Sequence, residues 1–406
     1  MQQIIVSFLY YSKKIPLRND MDKSKMACPF AHARAEKGYG DMNDQDDPVK
    51  ILLRLRDVRK SAKDWKTFQS GGEEVGRIVV PSEVHIRDTR QIPFEVDPPE
   101  HTDYRNLVEP WFKRPNEDAY QSRLKEIVNV VLDDVLSKDT IEVVSEFSLV
   151  IQSRALTVLL NTPFEESETW IGWGTHVFRS EDTHLDADKA NILYDYIDKE
   201  IDRAIKNPTD DLYSKLVNAE VNGKKLTKEE VKGVMILTFA GGRDTVINAI
   251  TNSIAYFAEH PESLARIKES PEMINTAIEE LIRYYAPLTH MGRVVTKNTQ
   301  VCEQDIKAQS RVSLCWASAN RDEKTFANPE EVVLDRKVNP HVSFGFGTHN
   351  CLGATHARAL LRIILSEMVQ KVKSIDILAH EDNVEDLDEF KRKVGFNSLS
   401  VKFNAI

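Results

Sequence analysis

The sequence predicts a mainly α-helical fold with a small β portion, organised as one domain over residues 26–406. Three observations carry that expectation. Helical periodicity dominates from about residue 117 to residue 290, strand-like alternation is confined to short stretches after it, and no repeat, low-complexity tract or Gly/Ser linker divides the 406 residues. A chain of this length suffices for one large domain or two ordinary ones. With 41% hydrophobic residues it reads as a soluble globular protein.

In chain order, the opening MQQIIVSFLYYSKK holds an apolar run far shorter than the roughly 20 residues that cross a bilayer. It lacks a basic n-region and a small-residue cleavage site, so residues 1–25 are expected to be a disordered or over-called leader, with Met21 or Met26 as alternative starts. In SRLKEIVNVVLDDVLSK, Leu124, Ile127, Val128, Val131 and Val135 recur at the i, i+3, i+4 spacing of an amphipathic helix. TKEEVKGVMILTFAGGRDTVINAITNSIAYFAEHP begins with a capping box, Thr227 and Glu230, and stops before Pro261. At 1.5 Å per residue that is roughly 50 Å of helix. It is apolar almost all round at its centre and should therefore run through the middle of the protein. Strands are expected in GRVVTKNTQV, SRVSLCWAS and NSLSVKF.

Charge and cysteine usage narrow the function classes. The formal net charge of −10 argues against nucleic acid or an anionic membrane as the main partner. The four cysteines, Cys28, Cys302, Cys315 and Cys351, form no CxxC pair, which disfavours a zinc site or a disulfide framework and suits the cytoplasm.

Four patterns follow one another along the chain. The central helix carries Gly241-Gly242, each glycine costing about 1 kcal/mol relative to alanine, and then Asp244-Thr245 in an otherwise apolar span. Such a flaw suggests a local widening where a ligand or water breaks the backbone ladder. A helix–helix crossing with Thr245 bonding back to a carbonyl is the alternative. Glu280 and Arg283, three apart in EELIRYYAP, share a helix face. A long polar meander then ends at Arg336. Last, Phe344, Gly345, Gly347, Cys351 and Gly353 spell F-G-x-G-x-x-x-C-x-G. A structural cysteine needs no such glycines, and a metal-binding one normally has a second ligand close by.

In this order and at these separations, the patterns resemble the cytochrome P450 family of haem-thiolate monooxygenases, over nearly the whole chain from about residue 30. The resemblance implies the family's fold, with haem b between the long central helix and the cysteine loop. Cys351 would then bind iron as a thiolate, with Phe344 beside the sulfur and Gly353 within the loop. Thiolate ligation pushes electron density onto iron and favours O–O cleavage. His101 and Arg105 match the family's HxxxR segment and, with Arg293 and His349, would hold the propionates. A helix N-terminus for His101 and a surface pair for Arg293 are the bland alternatives. Glu280, Arg283 and Arg336 resemble a buried structural triad. Asp244 and Thr245 match an acid–alcohol pair that delivers protons to bound oxygen. Arg243 departs from the apolar residue common there. The chain carries no flavin or NAD fingerprint, so electrons are expected from a [2Fe–2S] ferredoxin and an NAD(P)H-dependent flavin reductase, docking near Lys113, Arg114 and Arg358.

Substrate-facing positions, by the same resemblance, are Thr289, His290 and Met291 after Pro287, the helix around residues 170–180, and the tip of the last hairpin at Gly395-Phe396-Asn397. Trp170, Trp173, His176, Thr289, His290 and Phe396 mix flat apolar faces with hydrogen-bonding groups, which suits a polar ring such as a sugar. Helix packing is the alternative for the tryptophans. The chain as a whole, especially MACPFAHARAEKGYGDMNDQDDP and GGRDTVINAI, resembles the demethylases of porphyran-degrading marine bacteria that act on 6-O-methyl-D-galactose. A hydroxylase of a terpenoid, steroid or fatty acid is the alternative function, and a non-catalytic haem sensor or carrier is a further one.

Overall fold

The computed structural model of the protein describes residues 28–44, 47–71, 89–176 and 186–406; the expected leader lies outside them. The architecture is mainly helical with a small β portion, as the periodicities predict: among the described residues, a mixed five-stranded sheet, an antiparallel three-stranded one and two two-stranded ribbons.

The helices that frame the centre are α1 (Leu55–Lys63), α2 (Glu100–Phe112), α3 (Asp118–Leu136), α4 (Leu149–Leu160), α5 (Glu166–Gly172) and α6 (Ala187–Lys206). Along α3 the five residues of the amphipathic stripe are all buried. They join one large core that also takes in the apolar faces of α4, α6 and the two halves of the central helix. The segment Val143–Leu160 is apolar and long enough to cross a membrane by length and composition, but 78% of it is buried inside this fold.

The central helix starts as predicted. The Thr227 side chain accepts from the Glu230 amide while Glu230 reaches back to the Thr227 amide. It is not one continuous rod, however. It divides into α7 (Lys228–Gly241) and α8 (Asp244–Glu259), with Gly242 and Arg243 between them. Two adjacent glycines remove the side-chain contacts that would hold the helical path, and polar partners then take the freed carbonyls. The Gly242 carbonyl accepts from Gln152 Nε2 at 3.2 Å, and the Gly241 carbonyl from Thr245 Oγ1 at 3.0 Å.

Helices α9 (Ile274–Tyr285) and α10 (Ala354–Lys371) complete the shell behind the cysteine loop. The strands expected late in the chain are present: β3 (His290–Val295), β4 (Arg311–Cys315), and a long hairpin of β5 (Val372–Leu387) and β6 (Phe390–Ala405). An N-terminal antiparallel pair, β1 (Tyr39–Asp44) with β2 (Asp47–Leu52), was not expected. Its second strand joins β4 in parallel, with Ile51 opposite Ser313, and β4 in turn pairs antiparallel with β3. The turn of the β5–β6 hairpin lies at Asp388-Glu389, so Gly395-Phe396-Asn397 is not a tip. It sits within β6 beside a register shift, with Phe396 opposite Asp382.

Candidate active site

The cysteine loop runs from Val342 into α10, and each end is tied to the body of the protein. The Val342 amide donates to Asn320 Oδ1 at 2.7 Å and the Ser343 hydroxyl to the Ile282 carbonyl at 2.8 Å. Within the loop, the Cys351 amide donates to the Phe344 carbonyl at 2.8 Å. Gly345 and Gly347 have φ of +73° and +75°, conformations that L side chains rarely adopt. At Gly347 a Cβ would also stand 2.7 Å from the Ala62 carbonyl oxygen, so α1 itself demands glycine there. Gly353 is different. Its φ is ordinary, and a Cβ there would meet no protein atom within 4 Å. Nothing in the polypeptide requires glycine at 353, as a position reserved for close approach by a flat group would show.

The Cys351 side chain is accessible although the residue lies deep in the protein. Burial pushes its thiol up, while the amides of Gly353 and Ala354 and the charges of Arg105 and Arg358 pull the other way. The Phe344 ring lies under the Arg358 guanidinium, 4.3 Å from its centroid.

Behind the loop, Glu280, Arg283 and Arg336 form the expected triad. Glu280 and Arg283 are fully buried and joined by two contacts of 2.8 Å, and Arg336 Nε reaches Glu280 Oε2 at 2.8 Å. Arg283 also donates to the carbonyls of Asn320, Pro329 and Glu331, which fastens the polar meander to α9. With every charge paired and hydrogen-bonded, this network can stay buried.

The four predicted propionate residues converge. The His101 and His349 rings lie 4.5 Å apart, and Arg105 Nη1 donates to the Asn350 carbonyl beside Cys351 at 2.7 Å. Arg293 is buried in β3, donates to the Gly292 carbonyl at 2.6 Å, and makes no ion pair within 4 Å among the described residues. Burial pulls its guanidinium down to about 10. His101 is held down to about 4 by burial, with the charges of His349 and Arg105 adding to it. His349 is likewise lowered, chiefly by burial. Two carboxylates answer this group: Asp97, at 3.1 Å from His349 Nε2 and already taking the amides of Ser70 and Gly71, and Glu109, 3.8 Å from Arg105 Nε. The Nδ1 atoms of both histidines are buried without a partner. Two partnerless ring nitrogens beside a buried arginine that makes no ion pair among the described residues fit the carboxylates of a haem. Asp97 was missed in the sequence, although its position four residues before His101 on the approach to a helix was a usable signal.

At the break in the central helix, Asp244 and Thr245 are half-buried and begin α8. Asp244 Oδ2 lies 2.8 Å from His176 Nδ1, while Oδ1 is buried with no partner. Thr245 does bond back to a carbonyl, as the alternative held, and still faces the half-open side of the helix. Arg243 is fully buried. Its Nε donates to the Gly174 carbonyl at 2.9 Å, and its Nη2 bonds the carbonyls of Trp170 and Gly174.

The substrate candidates do not gather into one pocket. Trp170 is fully buried, edge-on to Tyr196 and Phe239, so it is a packing residue and offers no face to a sugar. Trp173 packs on the same two rings but is half-buried. Thr289 is buried and its hydroxyl accepts from Arg392 Nη1 at 2.6 Å, which removes it as a free contact. His290 Nδ1 lies 2.6 Å from Ser313 Oγ, a neighbour across the sheet. Phe396 is buried beneath Lys393 and lines a cavity of about 110 Å³ with Asn252, Glu259 and Tyr285, away from the Asp244–Thr245 step. Instead Gly395 faces the central helix: a Cβ there would stand 2.3 Å from Asn248 Oδ1, one turn beyond Thr245.

A mainly helical fold with an accessible cysteine thiol in a glycine loop, a broken central helix and partnerless donors beside a buried arginine has the features of a haem-thiolate protein. The comparisons agree. The family model described as Cytochrome P450 matches residues 187–404. A biotin biosynthesis cytochrome P450 of Bacillus subtilis is 31% identical over 290 residues, covering 70% of this chain and 73% of the relative. A steroid C26-monooxygenase of Rhodococcus jostii is 29% identical over 377 residues, 91% of this chain and 78% of the relative. A solved structure described as a carbohydrate active P450 is 65% identical, covers 95% of this chain and 100% of its own, and superposes with a TM-score of 0.92. The chain belongs to the cytochrome P450 family, and it is a monooxygenase that binds haem b.

Proposed function

We propose that this monooxygenase removes the methyl group of a small methylated sugar, 6-O-methyl-D-galactose being the specific substrate. The observation that carries the reading is the 65% identity, along nearly the full chain, to a structure described as a carbohydrate active P450. The steroid C26-monooxygenase is far more distant in sequence, at 29% identity.

In this reading Cys351 holds the iron as thiolate, Gly353 leaves room for the porphyrin, and His101, Arg105, Arg293 and His349 receive the propionates. The haem, when bound, supplies oxygen activation and insertion of one oxygen atom into a C–H bond. The protein's own residues hold the sugar and manage protons. Thr245 accepts and passes hydrogen bonds at the widened turn, and Asp244, its side chain 41% exposed, delivers protons. Two electrons and two protons accompany each oxygen molecule. The O–CH3 carbon is hydroxylated, and the resulting hemiacetal breaks into the demethylated sugar and formaldehyde while the second oxygen atom leaves as water. Trp173, half-buried near the break, is the remaining aromatic face for the pyranose. Members of this family draw electrons from redox partner proteins. Here a [2Fe–2S] ferredoxin and a flavin reductase using NAD(P)H fill that role, in the cytoplasm, with residues 26–406 acting as one domain.

The reconstituted system tests this directly. Incubation with 6-O-methyl-D-galactose should convert the haem from low to high spin and yield formaldehyde and galactose in equal amounts, with NAD(P)H and oxygen consumed in step. Absence of both signals, together with turnover of a terpene or lipid to a product that keeps the added oxygen, would replace the sugar reading.

A further inference from the structure

A carboxylate that delivers protons must be reloaded after each delivery, and the structure limits what can reload Asp244. Among the described residues, His176 is the titratable side chain in contact with it, at 2.8 Å from Oδ2. The adjacent Arg243 does not serve, because its guanidinium turns away to the carbonyls of Trp170 and Gly174. Those bonds have a second consequence. They fasten Trp170 of α5 and Gly174, two residues before His176, to the break between α7 and α8. His176 is therefore carried to Asp244 by a segment anchored on the same turn that bears the acid. Its side chain is 20% exposed, and Nδ1 is the ring atom that meets the carboxylate.

We propose that His176 is the proton entry residue for Asp244, conducting protons from water to the carboxylate, and is not a ligand for the substrate. The inference rests on the proton-delivery reading of Asp244 given above. Imidazole is suited to this because one nitrogen can gain a proton as the other loses one. A proton arrives from water at Nε2, the Nδ1 proton passes to Asp244 Oδ2, and the ring ends neutral as it began, with its tautomer reset by exchange with solvent. The protonated carboxyl group then turns about its Cβ–Cγ bond and gives up that same proton on the side away from His176. Arg243 is a positioning residue in this arrangement, since it places the segment and moves no proton.

The test compares holoenzyme variants with 6-O-methyl-D-galactose and a reconstituted ferredoxin pair, the wild-type turnover serving as a separate check of the sugar assignment. His176→Gln keeps an N–H for Asp244 but cannot conduct a proton. It should slow product formation at least tenfold and enlarge the solvent deuterium isotope effect. The sugar concentration for half-maximal spin shift should stay within twofold, and the reduced carbon monoxide spectrum should be unchanged. Asp244→Asn should slow turnover similarly, and the double variant should be no slower than the slower single one, because the residues act in series. A His176→Gln protein that binds sugar poorly but turns over normally at saturation makes His176 a substrate ligand and overturns the proposal. So does wild-type turnover in His176→Gln beside a slow Asp244→Asn. If Asp244→Asn itself turns over as wild type, the delivery reading fails first and takes this inference with it.

Discussion

The glycines of the cysteine loop separate two kinds of constraint that the sequence presents as one motif. Gly347 is demanded by the polypeptide, through a positive φ and the Ala62 carbonyl 2.7 Å from where a Cβ would stand. Gly353 is demanded by nothing in the chain. Gly347→Ala should therefore destabilise the protein even without haem, by about 1–3 kcal/mol. Gly353→Ala should leave apoprotein stability within about 0.5 kcal/mol of wild type while lowering haem incorporation. Denaturant unfolding of the apoproteins, set beside haem content after reconstitution, checks both. Equal destabilisation by the two substitutions would show that the loop is built for its own sake. At this scale the sequence was most legible where several residue types were constrained together, as in the loop and in Glu280, Arg283 and Arg336. It was least legible where a residue's direction mattered. Trp170 and Thr289 carry suitable chemistry, but their side chains point into the aromatic cluster and at Arg392, and no local pattern encodes that.

Elements add a lesson about where polar side chains are tolerated inside helices. The Gly-Gly step and the polar pair after it were readable as a flaw, and the structure gives the flaw as a full break between α7 and α8. What the pattern did not reveal is that Arg243 stabilises the break by satisfying carbonyls at the end of α5. Arg243→Leu removes those bonds and leaves the Trp170 and Gly174 carbonyls to be satisfied otherwise, a loss of about 1–3 kcal/mol. A second interior pair joins α3 to α10: Tyr120 Oη and His356 Nδ1 lie 2.8 Å apart, both buried. Burial holds His356 down to about 4, against about 6.5 for an unfolded chain. Between those values the unfolded state binds more protons, so stability rises with pH across that window and is lost on acidification. His101 acts in the same sense, its imidazole also held to about 4. Unfolding midpoints measured from pH 7.5 down to 4 should thus fall, and His356→Leu should flatten part of that slope. An unaltered slope in the variant would mean that His356 is not neutral in the folded protein.

On the scale of the whole molecule, the pieces hardest to read were those joined across the greatest sequence distance. The strand Asp47–Leu52 is recognisable only beside β4, some 260 residues later, because its parallel partner supplies the ladder its own neighbourhood cannot. The same holds for the electron-donor face. From sequence, Lys113, Arg114 and Arg358 read as three free cations near Cys351. In the fold Arg358 is held by both oxygens of Glu279 at 2.7 and 2.8 Å, and Arg114 stacks 4.2 Å from the Trp111 ring. Lys113 remains 64% exposed but shares Glu109, at 3.3 Å, with Arg105 at 3.8 Å. Glu109 therefore mutes the charge that an acidic ferredoxin would meet. Two substitutions should then move the rate of reduction in opposite directions. Lys113→Glu should slow it at low salt and weaken its dependence on ionic strength, because fewer attractive charges steer the encounter. Glu109→Gln should accelerate it at low salt and steepen that dependence, with the two proteins converging on wild type as salt is raised. Stopped-flow reduction under carbon monoxide, at ionic strengths from about 0.02 to 0.5 M, spans Debye lengths from longer than the face to shorter than it. Rates that ignore salt and both substitutions would move the docking face away from α2.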